Sequence, residues 1–143
     1  MTDYILDASI VVQHFIQDAQ TEHVDALFDM VGDTVTAHIP QFCLLECANV
    51  LWKHVRFHGV SKEDALQLTR DMDNLSLNIT PVQDLLPRAL EIGLTHQLAV
   101  YDSVYIAMAE HLKFSLITVD AKQAKAATAT GITLKPVTDF ATE

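Results

Sequence analysis

Runs fit for strands alternate with helical patterns along almost the whole chain, and this alternation leaves few folds open. Apolar or β-branched runs occur at residues 3–7, in "TVTAHI" (34–39, stopped by Pro40), in "LSLNIT" (75–80, ended by Pro81) and in "FSLITV" (114–119). A last one, "ITLKPV" (132–137), could make an edge strand. Between them the spacing predicts helices over Ile10 to about Gln17, 20–31, Gln41 to Phe57, Ser61 to about Leu75, 83–97, Asp102 to Leu112 and 121–129. Ser61 with Asp64 resembles a capping box, Pro87 falls in a first turn, and Gly59 and Gly131 stand as helix stops. Strands joined through helices pair in parallel and are covered on both faces. The expectation is therefore an α/β fold, with a mostly parallel central sheet of 4–5 strands flanked by helices on both faces. No linker, repeat or composition break divides the chain, so residues 1–143 are expected to form one domain.

Half of the residues are hydrophobic, enough for a sizeable core. The longest uncharged run, Thr34 to Leu45, is too short to cross a bilayer, and the start lacks a basic segment followed by an apolar one. The expected location is the cytoplasm, with no membrane partner. Cys43 and Cys47 lie four apart on one expected helix; no second pair completes a zinc site, and they read as reduced, small core residues. A formal net charge of -10 argues against broad, non-specific nucleic-acid binding, which depends on Lys and Arg. It suits a cation, a basic partner or solubility.

The first strand, in "YILDASIVV", places Asp7 and Ser9 inside an otherwise apolar run. A buried carboxylate is costly unless it is paired, hydrogen-bonded or bound to a metal. Asp120 follows "FSLITV" directly, and in an open parallel sheet the carboxyl ends of the strands share one rim. An acid after a strand is also the ordinary N-cap of the next helix. Glu46 is the only charged residue between Gln41 and Trp52, and it heads a stripe with Asn49, Lys53 and Arg56. Asp102 lies at the start of an apolar helix, where the dipole favours a carboxylate and capping alone would explain it.

Taken together, these settings resemble the PIN-domain ribonucleases, and within them the VapC-type toxins of prokaryotic toxin–antitoxin pairs. The matching stretches are "YILDASIVVQHF", "PQFCLLECANVLWK", "LAVYDSVYIAMAE" and "LITVDAKQAK", and the similarity continues into "GITLKPVTDF". The resemblance implies a PIN-like fold and an acidic pocket of Asp7, Glu46, Asp102 and Asp120 binding Mg2+ or Mn2+. Ser9 and Thr118 match hydroxyl positions beside the acids. It further implies RNA as substrate, 5′-phosphate and 3′-hydroxyl products, a homodimer, and a cognate antitoxin whose basic tail occupies the acidic cleft.

The chemistry is coherent. Two carboxylates about 5 Å apart repel by roughly 3 kcal/mol at an effective dielectric of 20. Convergent acids therefore favour proton uptake or a cation, and oxygen ligands select hard ions such as magnesium or manganese. Such ions activate water and offset charge in phosphodiester hydrolysis. Lys53, Arg56, Lys122 and Lys125, with His54, are the candidates for guiding phosphates, although scattered basic residues are commonly solubility groups. His54 and His58 have helical ligand spacing but lack the accompanying Glu, and read as surface or interface residues. Trp52 and Phe57 read as core or dimer contacts rather than base-stacking groups. Two other classes remain. One is a catalytically silent PIN fold that binds RNA or protein. The other is a phosphoryl-acceptor domain with Asp7 phosphorylated and Thr118 assisting; it lacks a well-placed lysine, Lys135 being poorly suited, and gives Glu46 no role.

Overall fold

The computed structural model describes residues 1–141. Its strands are β1 (Thr2–Leu6), β2 (Val35–Pro40), β3 (Leu77–Thr80) and β4 (Ser115–Ile117). Its helices are α1 (Ala8–Val11), α2 (Thr21–Met30), α3 (Cys43–Phe57), α4 (Lys62–Met72), α5 (Leu86–His96), α6 (Val100–Leu112) and α7 (Ala121–Ala129). All strand pairs are parallel, in the order β3-β2-β1-β4. The α/β expectation of 4–5 mostly parallel strands is met with four.

The final expected strand is a correction. "ITLKPV" contributes only a single parallel bridge, Leu116 to Leu134. The Leu116 N–H donates to the Thr133 carbonyl at 3.0 Å and the Lys135 N–H to the Leu116 carbonyl at 2.9 Å. Pro136 then has no N–H to extend the ladder. Helix boundaries shift for local reasons. The stretch from Ile10 to Gln17 is instead the short α1 followed by a 3-10 turn over Val12–His14. Residues 83–85 likewise form a 3-10 turn before α5. Ser61 caps α4, its hydroxyl accepting the Asp64 N–H at 3.1 Å.

Successive residues in a strand face opposite sides of the sheet. Ile5 and Leu6 are both fully buried, as are Leu116 and Ile117, so both faces of β1 and β4 are covered. Cys43 and Cys47 are free and buried, as their core reading requires. Helix α6 is buried continuously from Ser103 to Ala109 and runs through the interior as a spine. Its start is packed tightly against α5: a Cβ at Gly93 would lie 2.7 Å from the Leu98 carbonyl oxygen and 3.1 Å from Ser103 Oγ. Glycine is required there by close approach. Strand order reverses between β1 and β4, so the crevice beyond their carboxyl ends falls where Asp7 and Asp120 begin the next helices.

Candidate active site

Asp7 ends β1 and N-caps α1. Its Oδ1 accepts the Ser9 hydroxyl at 2.6 Å and the Ile10 N–H at 3.2 Å, and its Oδ2 accepts the Thr118 hydroxyl at 2.6 Å. The two hydroxyls are themselves oriented, Ser9 Oγ accepting the Val119 N–H and Thr118 Oγ1 the Asp120 N–H. Burial pushes the Asp7 carboxyl up to about 6 despite these donors, and the nearby Asp120 adds to the rise. Asp120 is more exposed and N-caps α7, its Oδ1 accepting the Gln123 N–H at 2.9 Å. Capping and membership of an acidic cluster thus coexist at both strand ends.

Asp102 sits in the first turn of α6 and is not its N-cap; Ala99 holds that position without a side-chain cap. Among the described residues, no hydrogen bond reaches the Asp102 carboxylate. Burial raises its pKa first and the charge of Asp120 second, while Lys122 opposes both. Glu46 accepts the Tyr105 hydroxyl at 2.7 Å on Oε1. Its pKa is raised by burial, lowered in part by the Tyr105 bond, and raised again by Asp102. The four acids therefore sense one another, and Asp7, Glu46, Asp102 and Asp120 all line one cavity of about 590 Å³.

The same cavity is lined by Ser9 and by Asn49 and Lys53 from the α3 stripe. Arg56, farther along that stripe, lies over the Phe57 ring at 5.8 Å and is not in the lining. Lys122 acts on Asp102 through its charge, and Lys125 lies exposed on α7 outside the lining. Trp52 and Phe57 are exposed and meet edge to face away from the cavity. Lys135 pairs with Asp139 at 3.2 Å, outside the cavity, so it does not serve Asp7 in the phosphoryl-acceptor arrangement. Sequence reading gave no role to Tyr105, Gln123, Phe42 or Tyr101. Three of these line the cavity, and Gln123 sits beneath it, its Nε2 donating to the Asp102 carbonyl at 3.0 Å. Their only sequence signal was spacing: Tyr105 and Gln123 each stand three residues after an acid.

The donor set is oxygen-only, with neither thiol nor imidazole in the lining. Among the described residues, no three His, Cys, Asp or Glu side chains are gathered closely enough to form a ready metal cage. This arrangement fits a hard cation that keeps much of its water and takes one or two carboxylates at a time, which is how magnesium binds proteins. It does not fit a closed structural zinc site.

Comparison with known proteins identifies the fold and the family. Ribonuclease VapC3 of Pyrobaculum aerophilum is 25% identical over 123 residues, spanning 85% of this chain and 92% of its own length. A crystal structure from Pyrobaculum aerophilum superposes with a TM-score of 0.73 at 19% identity, covering 96% of this chain and 91% of that one. VapBC2 from Rickettsia felis, solved bound to a DNA fragment from their promoter, gives a TM-score of 0.69 at 15% identity, with coverage of 94% and 98%. The structural likenesses establish a common fold. The model of the PIN domain family matches residues 4–129, a span that includes all four acids, and the chain belongs to that family.

Proposed function

We propose that the chain is a metal-dependent endoribonuclease, and that it acts as the toxin of a toxin–antitoxin pair. One observation carries the reading: Asp102 holds a partly buried carboxylate with no hydrogen-bond donor among the described residues, and it shares the cavity with Glu46, which senses its charge, and Asp120, whose charge it senses. Such a group is unfavourable in the protein alone and becomes favourable when a cation enters. The ribonuclease relative supports the choice of substrate.

In this reading Asp7, Glu46, Asp102 and Asp120 would between them hold Mg2+ or Mn2+, one or two carboxylates at a time, and the ion would supply Lewis acidity and a water of lowered pKa. The chain's own residues do the rest. Ser9 and Thr118 fix the Asp7 carboxylate, each donating to a different oxygen. Tyr105 occupies Oε1 of Glu46, leaving Oε2 to orient a water. Lys53 in the lining and Lys122 beside Asp102 meet the substrate phosphate, with Arg56 and Lys125 farther out. Water oxygen bonds to phosphorus as the bond to the 3′ oxygen breaks, giving a 5′-phosphate and a 3′-hydroxyl.

Residues 1–143 act as one domain in this proposal. A homodimer is supported by Leu86, Leu90 and Leu94, an exposed stripe on α5. The acidic cleft suits a basic side chain from an antitoxin tail. A second reading, a silent binding module, draws on the absence of a ready three-ligand cage among the described residues.

Thermal melting in EDTA and then in Mg2+ or Mn2+ separates the two, with wild type and Asp102→Asn side by side. A ligand at 100 times its dissociation constant adds about 2.7 kcal/mol, a shift of several degrees. Wild type is expected to rise and Asp102→Asn to stay flat, with cleavage of total RNA lost by at least about 100-fold. A wild type that neither rises nor cleaves with either metal overturns the nuclease reading in favour of the silent module.

A further inference from the structure

Asp102 and Tyr105 are three residues apart on α6 and so share one face of that helix. From this part of α6 hydrogen bonds lead to the carboxylates of the other three acids of the cleft. In one direction the Tyr105 hydroxyl donates to Glu46 Oε1 on α3 at 2.7 Å. In the other, the Asp102 carbonyl accepts Gln123 Nε2 from α7 at 3.0 Å, and the Gln123 N–H donates to Asp120 Oδ1 at 2.9 Å. The Asp120 N–H donates to Thr118 Oγ1 at 3.0 Å, and the Thr118 hydroxyl ends the line on Asp7 Oδ2 at 2.6 Å.

Among the described residues no ion pair is made to an acid along this line, and only the charge of Lys122 is felt at Asp102. Tyr105 and Gln123 are each only 1% exposed, and both are uncharged. They fix the acids in place while leaving their negative charge available. Stability alone does not account for Gln123. Its Oε1 is buried without a hydrogen-bond partner among the described residues, an arrangement that is unfavourable and that an apolar side chain of similar shape would avoid.

We propose that Tyr105 and Gln123 are positioning residues which set the spacing of Glu46, Asp102 and Asp120 before any cation arrives. This rests on the nuclease reading above and adds to it two residues that act through the acids they hold. Tyr105 acts through the Glu46 carboxylate. The Gln123 side chain ties the Asp102 carbonyl, in the first turn of α6, to the start of α7, where the Gln123 backbone N–H holds the Asp120 cap.

The test uses the full chain as wild type, Gln123→Met, Tyr105→Phe and the double variant. Melting in EDTA is followed by titration with MnCl2 or MgCl2 alone, and then by cleavage kinetics on RNA. Gln123→Met is expected to melt in EDTA at or above the wild-type temperature, because the orphaned acceptor is gone. Its metal midpoint should nevertheless rise by about 10-fold or more, as should that of Tyr105→Phe, the usual scale for losing a residue behind a ligand. The kcat should fall with KM little changed, because phosphate contacts are untouched. Metal midpoints equal to wild type in both single variants overturn the proposal. So does a Gln123→Met protein that melts several degrees lower with an unchanged midpoint, which would make the residue purely structural. A wild type that ignores metal and leaves RNA intact fails earlier, on its own arm, and removes the nuclease reading and this proposal together.

Discussion

Asp7 shows how one residue's burial turns into a measurable pH dependence. Its folded pKa is about 6 against an ordinary 3.8, so the native state binds the proton more tightly than the unfolded chain does. Stability from this group is therefore fully present below about pH 4 and is lost as pH rises through about 6. The shift corresponds to about 3 kcal/mol. In EDTA, the melting temperature of wild type should fall across that window more steeply than that of Asp7→Asn, and the variant should be the more stable protein near neutral pH. Equal slopes for the two proteins would show that Asp7 is not the strained acid. Asp7 was legible in the sequence because an acid interrupting an apolar strand run has few dull explanations. Gln123 was not: in "AKQAK" it reads as one more polar residue on a surface helix. Its burial comes from α6 packing across α7, a relation that no local pattern encodes.

At the scale of elements, α6 decides where the acids stand, and Gly93 decides where α6 starts. A methyl group there would press within 2.7 Å of the Leu98 carbonyl oxygen, a backbone atom that cannot rotate away. Gly93→Ala should force α5 and the start of α6 apart, at a cost of about 1–3 kcal/mol. Because Asp102 rides on that first turn, the metal midpoint should rise along with the loss in melting temperature. A variant that melts lower but binds metal as wild type does would separate the packing from the site. The sequence made the helices and the first four strands legible, since each carries its own periodicity. It misled at "ITLKPV", where an apolar alternation ends on Pro136 after two ladder bonds to β4. Helix starts were also uncertain by a few residues, because α3 and α6 begin without a side-chain cap to mark them.

Across the whole molecule, the charge of -10 has the same sign as the proposed RNA substrate. A typical RNA binder neutralises phosphates with many cationic groups, and its affinity drops steeply as salt rises. Here, among the described residues, Lys53 is the one Lys or Arg in the cavity lining, and Lys122 is felt at Asp102. Most of the long-range field repels RNA, and salt screens that field over a Debye length of about 10 Å at 0.1 M. At saturating Mg2+, KM for RNA cleavage should therefore stay level or fall as NaCl rises from about 20 to about 150 mM. A synthetic Arg-rich peptide, standing in for a basic antitoxin tail, should behave oppositely and inhibit less well as salt rises, because attraction to the cleft is what salt weakens. The two slopes together distinguish a cleft that selects its substrate through metal from one that selects through surface charge. A KM that climbs by about tenfold over the same range would place the RNA on a cationic surface outside the acid-lined cavity, and the lysines beyond α3 and α7 would then be the residues to mutate.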